Sequence, residues 1–584
     1  MRLFQRKSLL ETFKLDQKGL VMPMVICFAV VFSMEGAGLA SYASSTYSQI
    51  KYQETFLKTH YMAEAAMEKA VSQVRTVVSK TGVMPAANSI TPPTLNGASF
   101  TYSAPNGGAN TFGQTTGAAV DKKLTAGTYA GLNGNAQPLT FSITARGTGP
   151  YPTTVTINQT IEVQRIPLFQ FGVFYQNDLE ILPGPNMTFS GPVHSNGDIY
   201  LGTHNTLTFN STITSYKSIL HGRKDSSTAM LGNVFISDGA VQQNMKNGNG
   251  TWLDSSDGNW LMGSQTRWGG NVSSSVHGVR QLNLPIPSST GPQTLIDRRT
   301  GADSAQVQTE KMDYKANLRI IDGAVMDKFN NTVELRYCSG GSAFNNGCPQ
   351  GQSVVNPLST AQFYNFREGR TIASTDIDVN LLNGSPAFQA MVSAANGVVI
   401  YTSDRRNTGS ATLQDAVRLV NGHTLPVKGL TLASENPVYV KGDFNTNTKK
   451  PAGIVGDAFN IQSNAWLDAN STNTNLSNKN ASATSVNAAV ITGNTNTTTG
   501  NYNGGFENIH RFMENWSGVN LTYSGSVITL FNSRIAIGNW LYGGNQYTAP
   551  NRLWGFDANF SDANYNIPGF PSVVTVAKSS YEAV

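Results

Sequence analysis

Asp376 and Asp378 alternate along one predicted strand, so both carboxylates leave the same face, as the carboxylate pair of a polysaccharide lyase would. Asp254 and Asp257 lie in a Gly-rich loop with the oxygen chemistry to hold Ca²⁺, although their spacing misses the EF-hand loop. In both cases the simpler alternative is a solvated surface pair. His194 and His510 sit in the most ordered-looking motifs, where a structural hydrogen bond is favoured over metal ligation. The sequence has no nucleophile elbow, no phosphate-cradling Gly-Lys loop and no zinc-spaced set of Cys or His. No catalysis, resident metal or cofactor is therefore expected. Cys338 and Cys348 bracket nine residues of a flexible loop, and in an oxidising compartment a disulfide there would contribute about 2–3 kcal/mol.

The elements that must position these groups are bounded by composition. The chain has 584 residues, which predicts two to four domains. Only 13% of residues are charged, whereas Gly, Asn, Ser and Thr abound. With 27 Phe, 21 Tyr and 7 Trp available to anchor a core, disorder is excluded. A coiled-coil rod, a polytopic membrane protein and a disulfide-dense miniature scaffold are excluded as well. Net charge is +5, of which the first 19 residues carry +3. The remaining +2 offers no field for phosphate backbones, so no nucleic-acid partner is expected.

The strongest signal is N-terminal. Residues 1–19 are polar and basic and end in Lys18-Gly19; an apolar run from Leu20 through Phe32 follows at once and continues more weakly to Tyr42. As a helix, residues 20–42 would span roughly 34 Å, enough for a bilayer core of about 30 Å, with the basic flank kept cytoplasmic. Three fates compete: an uncleaved signal anchor, a signal peptide cut after Ala43, and a prepilin-type leader cut after Gly19 with the apolar helix retained. The glycine placed between charged leader and apolar run favours the third. Downstream, Ala63, Met67, Ala70, Val74 and Val77 step by four and three along one helical face, and Glu54 and Lys58 form an i, i+4 pair. One helix from about 22 to about 80 is predicted, with a bend or melted stretch at Gly36 and Gly38.

With Lys18-Gly19-Leu20 at the junction and Ala63-Glu64-Ala65-Ala66-Met67-Glu68-Lys69-Ala70 in the helix, residues 14–80 resemble the PilX-type minor pilins of type IV pili. The resemblance covers about an eighth of the chain. It implies cleavage after Gly19 by prepilin peptidase, N-methylation of Leu20 and packing of the apolar helix among other pilins in a filament. Major pilins carry Glu at the fifth mature position, which pairs with a neighbour's terminal ammonium; here that position is Met24. Without this carboxylate a minor or tip-priming role fits better than that of a major subunit. Glu35 lies 11 residues further on, roughly 16 Å away, and is read as a carboxylate snorkelling to the outer interface.

The expected fold class is α+β: a long N-terminal transmembrane and amphipathic helix, then a large all-β head. The predicted divisions are a prepilin-type leader over 1–19, a transmembrane helix over 20–45, its amphipathic continuation over 46–82 and a small β-rich subdomain over 83–168. A β-rich domain over 169–435 follows, with an insertion at 225–310, and then a C-terminal β-rich region over 436–584. In the subdomain, Leu139–Thr144 and Thr153–Gln164 read as strands, with Val155, Ile157, Ile161 and Val163 inward. From Phe169 onward, strands of three or four residues recur every 8–12 residues between Gly, Asn and Pro. This texture is read as a parallel β-helix in preference to a sandwich. Gly504–Trp516 reads as a capping helix with Glu507 and Arg511 paired at i, i+4. That block, Phe171–Tyr175 with Gly191–Asp198, and Asn436–Asp443 resemble segments of large uncharacterised regions attached to PilX-like N-termini.

The function expected from these readings is a minor pilin or pseudopilin-like subunit, single-pass in the inner membrane, that primes a filament or displays an adhesive head. The head's partner would be a surface glycan or another cell ligand. A signal-anchored adhesin and a β-helix carbohydrate-active enzyme are the alternatives.

Overall fold

The computed structural model describes residues 21–85, 89–103, 114–115 and 118–583. It contains a long N-terminal apolar helix followed by a large β-rich region. The helix runs unbroken over Val21–Thr81, 61 residues or about 90 Å. Gly36 and Gly38 lie inside it without interrupting it, contrary to the bend expected there; a single glycine costs an α-helix only about 1 kcal/mol, which the flanking turns sustain.

The helix rests on an antiparallel sheet, six-stranded among the described residues. Its central strands are Asn133–Gly147 and Thr154–Pro167, paired in register from Asn135 opposite Arg165 to Arg146 opposite Thr154. Val155, Ile157, Ile161 and Val163 are all buried, as their alternation predicted. The fourth strand in the order is Ser572–Ala583, which returns from the far end of the chain to pair with Thr154–Pro167. The sheet expected from residues 83–168 is thus completed by the C-terminus.

Between these strands lies the rest of the head, and most of its pairings are parallel. Leu179 aligns with Ile199 and Ile219, Met187 with Leu207, and Val193 with Ile213. Every step is 20 residues, so each turn of chain lays three short strands directly above those of the previous turn. Inward Leu and Ile stack on their counterparts, and the Phe189 and Phe209 rings lie 5.0 Å apart, close to the spacing of neighbouring strands. The polar corners also form ladders. Asp178 accepts from the amide of Asp198, and Asp198 in turn from that of Ser218. Ser195 and Ser215 donate to the carbonyls of Asn177 and Gly197.

One sheet joins the two halves of the head. From Val173–Tyr175 its strands proceed outward through Val193–Ser195 and Ile213–Ser215 to Val272–Ser273. The chain then enters the opposite end at Leu318–Ile321 and returns through Val398–Ser403, Leu430–Ser434, Ala452–Gly456 and Thr484–Asn494. The last of this series, Asn520–Asn532, docks beside Val173–Tyr175. A single apolar core follows the sheet and includes residues from Val173 to Tyr547. The division expected at 435/436 falls within this core, because successive strands bury their inward faces against one another across it. Residues 225–310 are not a lateral insertion either. Asn233–Ser237 extends one parallel stack, and the helix Trp260–Trp268 places both tryptophans in the same core. Antiparallel pairs occur at sheet edges, as at Gln242–Asn244, Ala324–Asp327 and Leu358–Asn365, where a hairpin covers otherwise open hydrogen-bonding groups.

The Gly504–Trp516 segment is not a helix beyond a 3₁₀ turn at Phe506–Asn508. Phe506, Ile509, Phe512, Met513 and Trp516 are nonetheless buried. Gly504 and Gly505 adopt φ of 98° and 68°, and Asn460 and Asn480 form β-bridges to Arg511 and Asn515. Backbone pairing with the stacked strands therefore replaced the intrahelical bonds. Without helical geometry Glu507 and Arg511 do not meet: Arg511 pairs with Glu368 at 3.0 Å.

Candidate functional site: the helix and its seat on the head

The buried face of the helix comprises Thr59, Ala63, Ala66, Met67, Ala70, Val71, Val74 and Val78. The step after Val74 is Val78 rather than Val77, which is only half-buried. Alanines at 63, 66 and 70 let the helix axis approach the sheet closely, with Phe141, Ile143, Ile157 and Ile161 in the same cluster. Polar contacts fix the register. Thr59 and Thr153 share a hydroxyl hydrogen bond of 2.8 Å, and the Tyr102 hydroxyl donates to the Ala66 carbonyl at 2.8 Å. The two acids of the Ala-Glu-Ala-Ala block clamp the C-terminal strand: Glu64 accepts from the Tyr581 hydroxyl, and Glu68 pairs with Lys578.

Towards the N-terminus the helix leaves the sheet. Met22, Met24, Phe28, Phe32 and Met34 are exposed, and this stretch is long and apolar enough to cross a membrane. Met24 stands on this uncovered part, and so does Glu35, directly before the Gly36–Gly38 stretch. Glu54 meets Lys51 at 2.8 Å rather than the expected Lys58. Gly19 and Leu20 lie outside the described residues.

The remaining predicted positions are structural. Cys338 and Cys348 are joined by a disulfide. Asp376 is buried and gripped by Arg418, whereas Asp378 caps the helix Val379–Asn383 by accepting from the Leu381 amide at 2.9 Å. The two carboxylates have separate partners and do not act on a common point. Asp254 accepts from the amides of His221 and Ser256, and Asp257 from that of Asn259, so both serve as turn caps. Among the described residues no group of three His, Cys, Asp or Glu could hold a metal ion. His194 is fully buried and bonded to Thr214 and Asn196, and burial pushes it down to about 4. Among the described residues His510 has no hydrogen-bond partner for either ring nitrogen, and it packs edge-on or tilted against Phe459, Tyr523 and Trp554; burial pushes it down to about 3. Neither imidazole is placed to act as a base at neutral pH.

Comparison with known proteins yields little at the level of sequence: no family model matches, and no curated protein matches. Among solved structures, the competence-associated pilin ComZ from Thermus thermophilus is similar at 12% identity, over 91% of this chain and 98% of that one, with a TM-score of 0.26.

Two acids of the Gly504–Trp516 segment carry a pH dependence that local sequence does not reveal. Glu507 and Glu514 are buried, and burial pushes each carboxyl up to about 7 from an ordinary value of 4.5. A raised acid pKa means that ionisation opposes folding. The associated stability is complete below about pH 4.5 and is lost as pH rises to about 7. Gln at 507 removes that cost while keeping an oxygen for the Leu182 amide. The stability of Glu507→Gln relative to the native chain should therefore rise from near zero at pH 4.5 to about 3 kcal/mol at pH 8. Paired urea titrations at the two pH values test this, and taking the difference between variant and native chain cancels the opposing titration of His194 and His510.

Proposed function

We propose that this chain is a pilin-like subunit of a filament of the type IV pilus class, with a minor, tip or priming role. The observation that carries the reading is the division of one continuous helix. Its second half is sealed onto an antiparallel sheet, while its first half is apolar and uncovered. Such a helix needs a second apolar environment, and the inner membrane before assembly and neighbouring helices after it are two that suit its length. In this reading prepilin peptidase cuts after Gly19, Leu20 becomes the methylated N-terminus, and Met24 leaves the subunit without the carboxylate that would neutralise a neighbour's ammonium. Glu35 reaches the outer interface. The head, extracytoplasmic, is a β-helix-like stack of 20-residue turns that presents its polar corners to a cell-surface ligand.

Intact-mass measurement of the native protein tests the processing step. The expected species begins at a methylated Leu20, and deletion of prepilin peptidase should restore residues 1–19. A chain beginning near Ser44, released from the membrane, would overturn the filament reading. If sheared filaments lack the protein while cells retain it, it is a surface-anchored adhesin instead.

A further inference from the structure

Where the helix meets the first turns of the head, two cavities of about 280 and 640 Å³ adjoin, sharing Tyr216 and Gln281 in their walls. The smaller is bounded by the helix at Ser72, Arg75 and Ser79 and by Arg280 and Asn283 of the head. Among the described residues neither Arg75 nor Arg280 forms an ion pair, and the Nε of Arg75 is buried with no hydrogen-bond partner. Burial and the nearby Arg280 charge lower the pKa of Arg75 by more than Glu68 raises it, and Glu68 is itself paired with Lys578, so two guanidinium groups converge with only a shared carboxylate near one of them. An unpartnered buried donor costs roughly 1–3 kcal/mol, so a site of this kind gains by taking an anion.

The larger cavity has a different chemistry. Its walls are rungs of the 20-residue ladder, with Asn177, Gly197 and Lys217 at equivalent corners, and the facing loop Asn494–Thr498. Gly197 lets two rungs close up, since a Cβ there would lie 2.5 Å from the backbone of Asn177 and Asp178. The lining consists mainly of amides and hydroxyls, with few apolar side chains. Among the described residues Glu180, 3% exposed, has its Oε2 without a hydrogen-bond partner. Lys224 neutralises Asp178 at 2.8 Å, and burial raises the Glu180 carboxyl above its ordinary range, so the acids do not cancel the cationic end. Tyr216, 38% exposed, stands where the two cavities join and offers a ring face to a flat ligand.

We propose that this groove binds an acidic oligosaccharide, its rings lying over Tyr216 and the amide-lined cleft and its carboxylate or sulfate seated between Arg75 and Arg280. A peptide would call for apolar pockets that the groove lacks, and a nucleic acid for a longer run of cations than these positions supply. A polyhydroxylated ring matches donors and acceptors on every side, and the combined volume lies within the range that holds small ligands. The inference is independent of the filament reading, since the groove belongs to a single chain.

The test uses the full-length protein in detergent, titrated calorimetrically with tetragalacturonate, a heparin tetrasaccharide and neutral cellotetraose at physiological salt. At least one acidic tetrasaccharide should bind ten-fold or more tightly than cellotetraose. Arg280→Glu, an exposed substitution, should abolish that preference without altering thermal unfolding. Tyr216→Ala should weaken acidic and neutral ligands alike by about ten-fold. Equal affinities for acidic and neutral sugars, no binding of any of the three, or acidic binding indifferent to Arg280→Glu would each overturn the proposal. Acidic binding that ignores Tyr216→Ala and is matched by inorganic sulfate would show a simple anion site, and would overturn the sugar assignment.

Discussion

Replacing Arg418 by Met should cost the head about 3–5 kcal/mol, among the largest losses available to a single substitution in this chain. The Arg418 side chain is 3% exposed. Its Nη2 donates to Asp376 at 2.6 Å and to Asp468 at 2.9 Å, its Nη1 to Asp468 at 2.7 Å and to Gln462 at 3.2 Å, and its guanidinium lies 4.8 Å from the Phe363 ring centroid. One cation therefore ties the strands Arg370–Asp378, Leu413–Val420 and Phe459–Gln462 to the turn at Asp468–Asn470. Burial opposes its charge, yet the bonds to Asp468 and Asp376 more than compensate and hold its pKa above the ordinary value. Met fills much of the volume but strands the Asp376 carboxylate in a dry site, and that unpaired charge is the source of the loss. Arg418→Lys keeps the charge and loses the fork, so it should fall between the two. Adding Asp376→Leu to Arg418→Met should recover part of the deficit, since the cycle removes both charges. Urea midpoints followed by tryptophan fluorescence, with Trp466 buried beside Asp468, report all four chains. A loss below about 1 kcal/mol for the single variant would show that water reaches this network.

Ending the chain at Pro571 should release the helix from the head. The missing strand, Ser572–Ala583, has no substitute among its neighbours. It covers the open edge of Thr154–Pro167, and Val573 and Val574 are 1% and 2% exposed, one in the core under the stacked strands and the other in the helix–sheet core. The Val574 amide donates to the Asn283 carbonyl at 2.8 Å, which joins the sheet to the head. Lys578 and Tyr581 hold Glu68 and Glu64 of the helix. Burial of the two valines alone is worth roughly 3–6 kcal/mol, before the lost ladder is considered. Limited proteolysis should then cut between residues 75 and 170 at least ten-fold faster than in the full chain, while the stacked turns from Val173 to Asn532 stay protected. Equal cutting rates would mean that the helix is held by Asn133–Pro167 without the C-terminal strand. Val574→Ala, expected to cost about 2 kcal/mol, checks the same contact without truncation.

Much of this arrangement is legible in local pattern. The helix declares itself through an apolar run followed by a four-and-three rhythm, because helical geometry places those positions on one face whatever lies beneath. The inward valines and isoleucines of Thr154–Pro167 follow from the period of two. The short strands at Met187–Phe189, Ile199–Leu201 and Ile213–Ser215 stand where their turn residues put them. The 20-residue repeat is hidden because only inward apolar type and a few polar corners recur: Met187 stacks on Leu207 and Val193 on Ile213, and stacking needs shape and register rather than the same residue. Gly504–Trp516 shows the opposite failure. Its apolar spacing suits a helix, but the same side chains are buried as well by an extended segment wherever a neighbouring strand offers backbone partners.

By itself the sequence determined which segments are apolar, where the long helix lies and which of its faces is covered, since these depend on residues close together along the chain. Only the tertiary structure decided what those segments meet. It closed the antiparallel sheet with residues more than 400 positions away, seated Asn520–Asn532 against Val173–Tyr175, paired Asp376 with Arg418 rather than with water, and set Arg75 opposite Arg280. Such pairings are fixed by the burial and hydrogen bonding of the whole chain at once, and no window of neighbouring residues contains them.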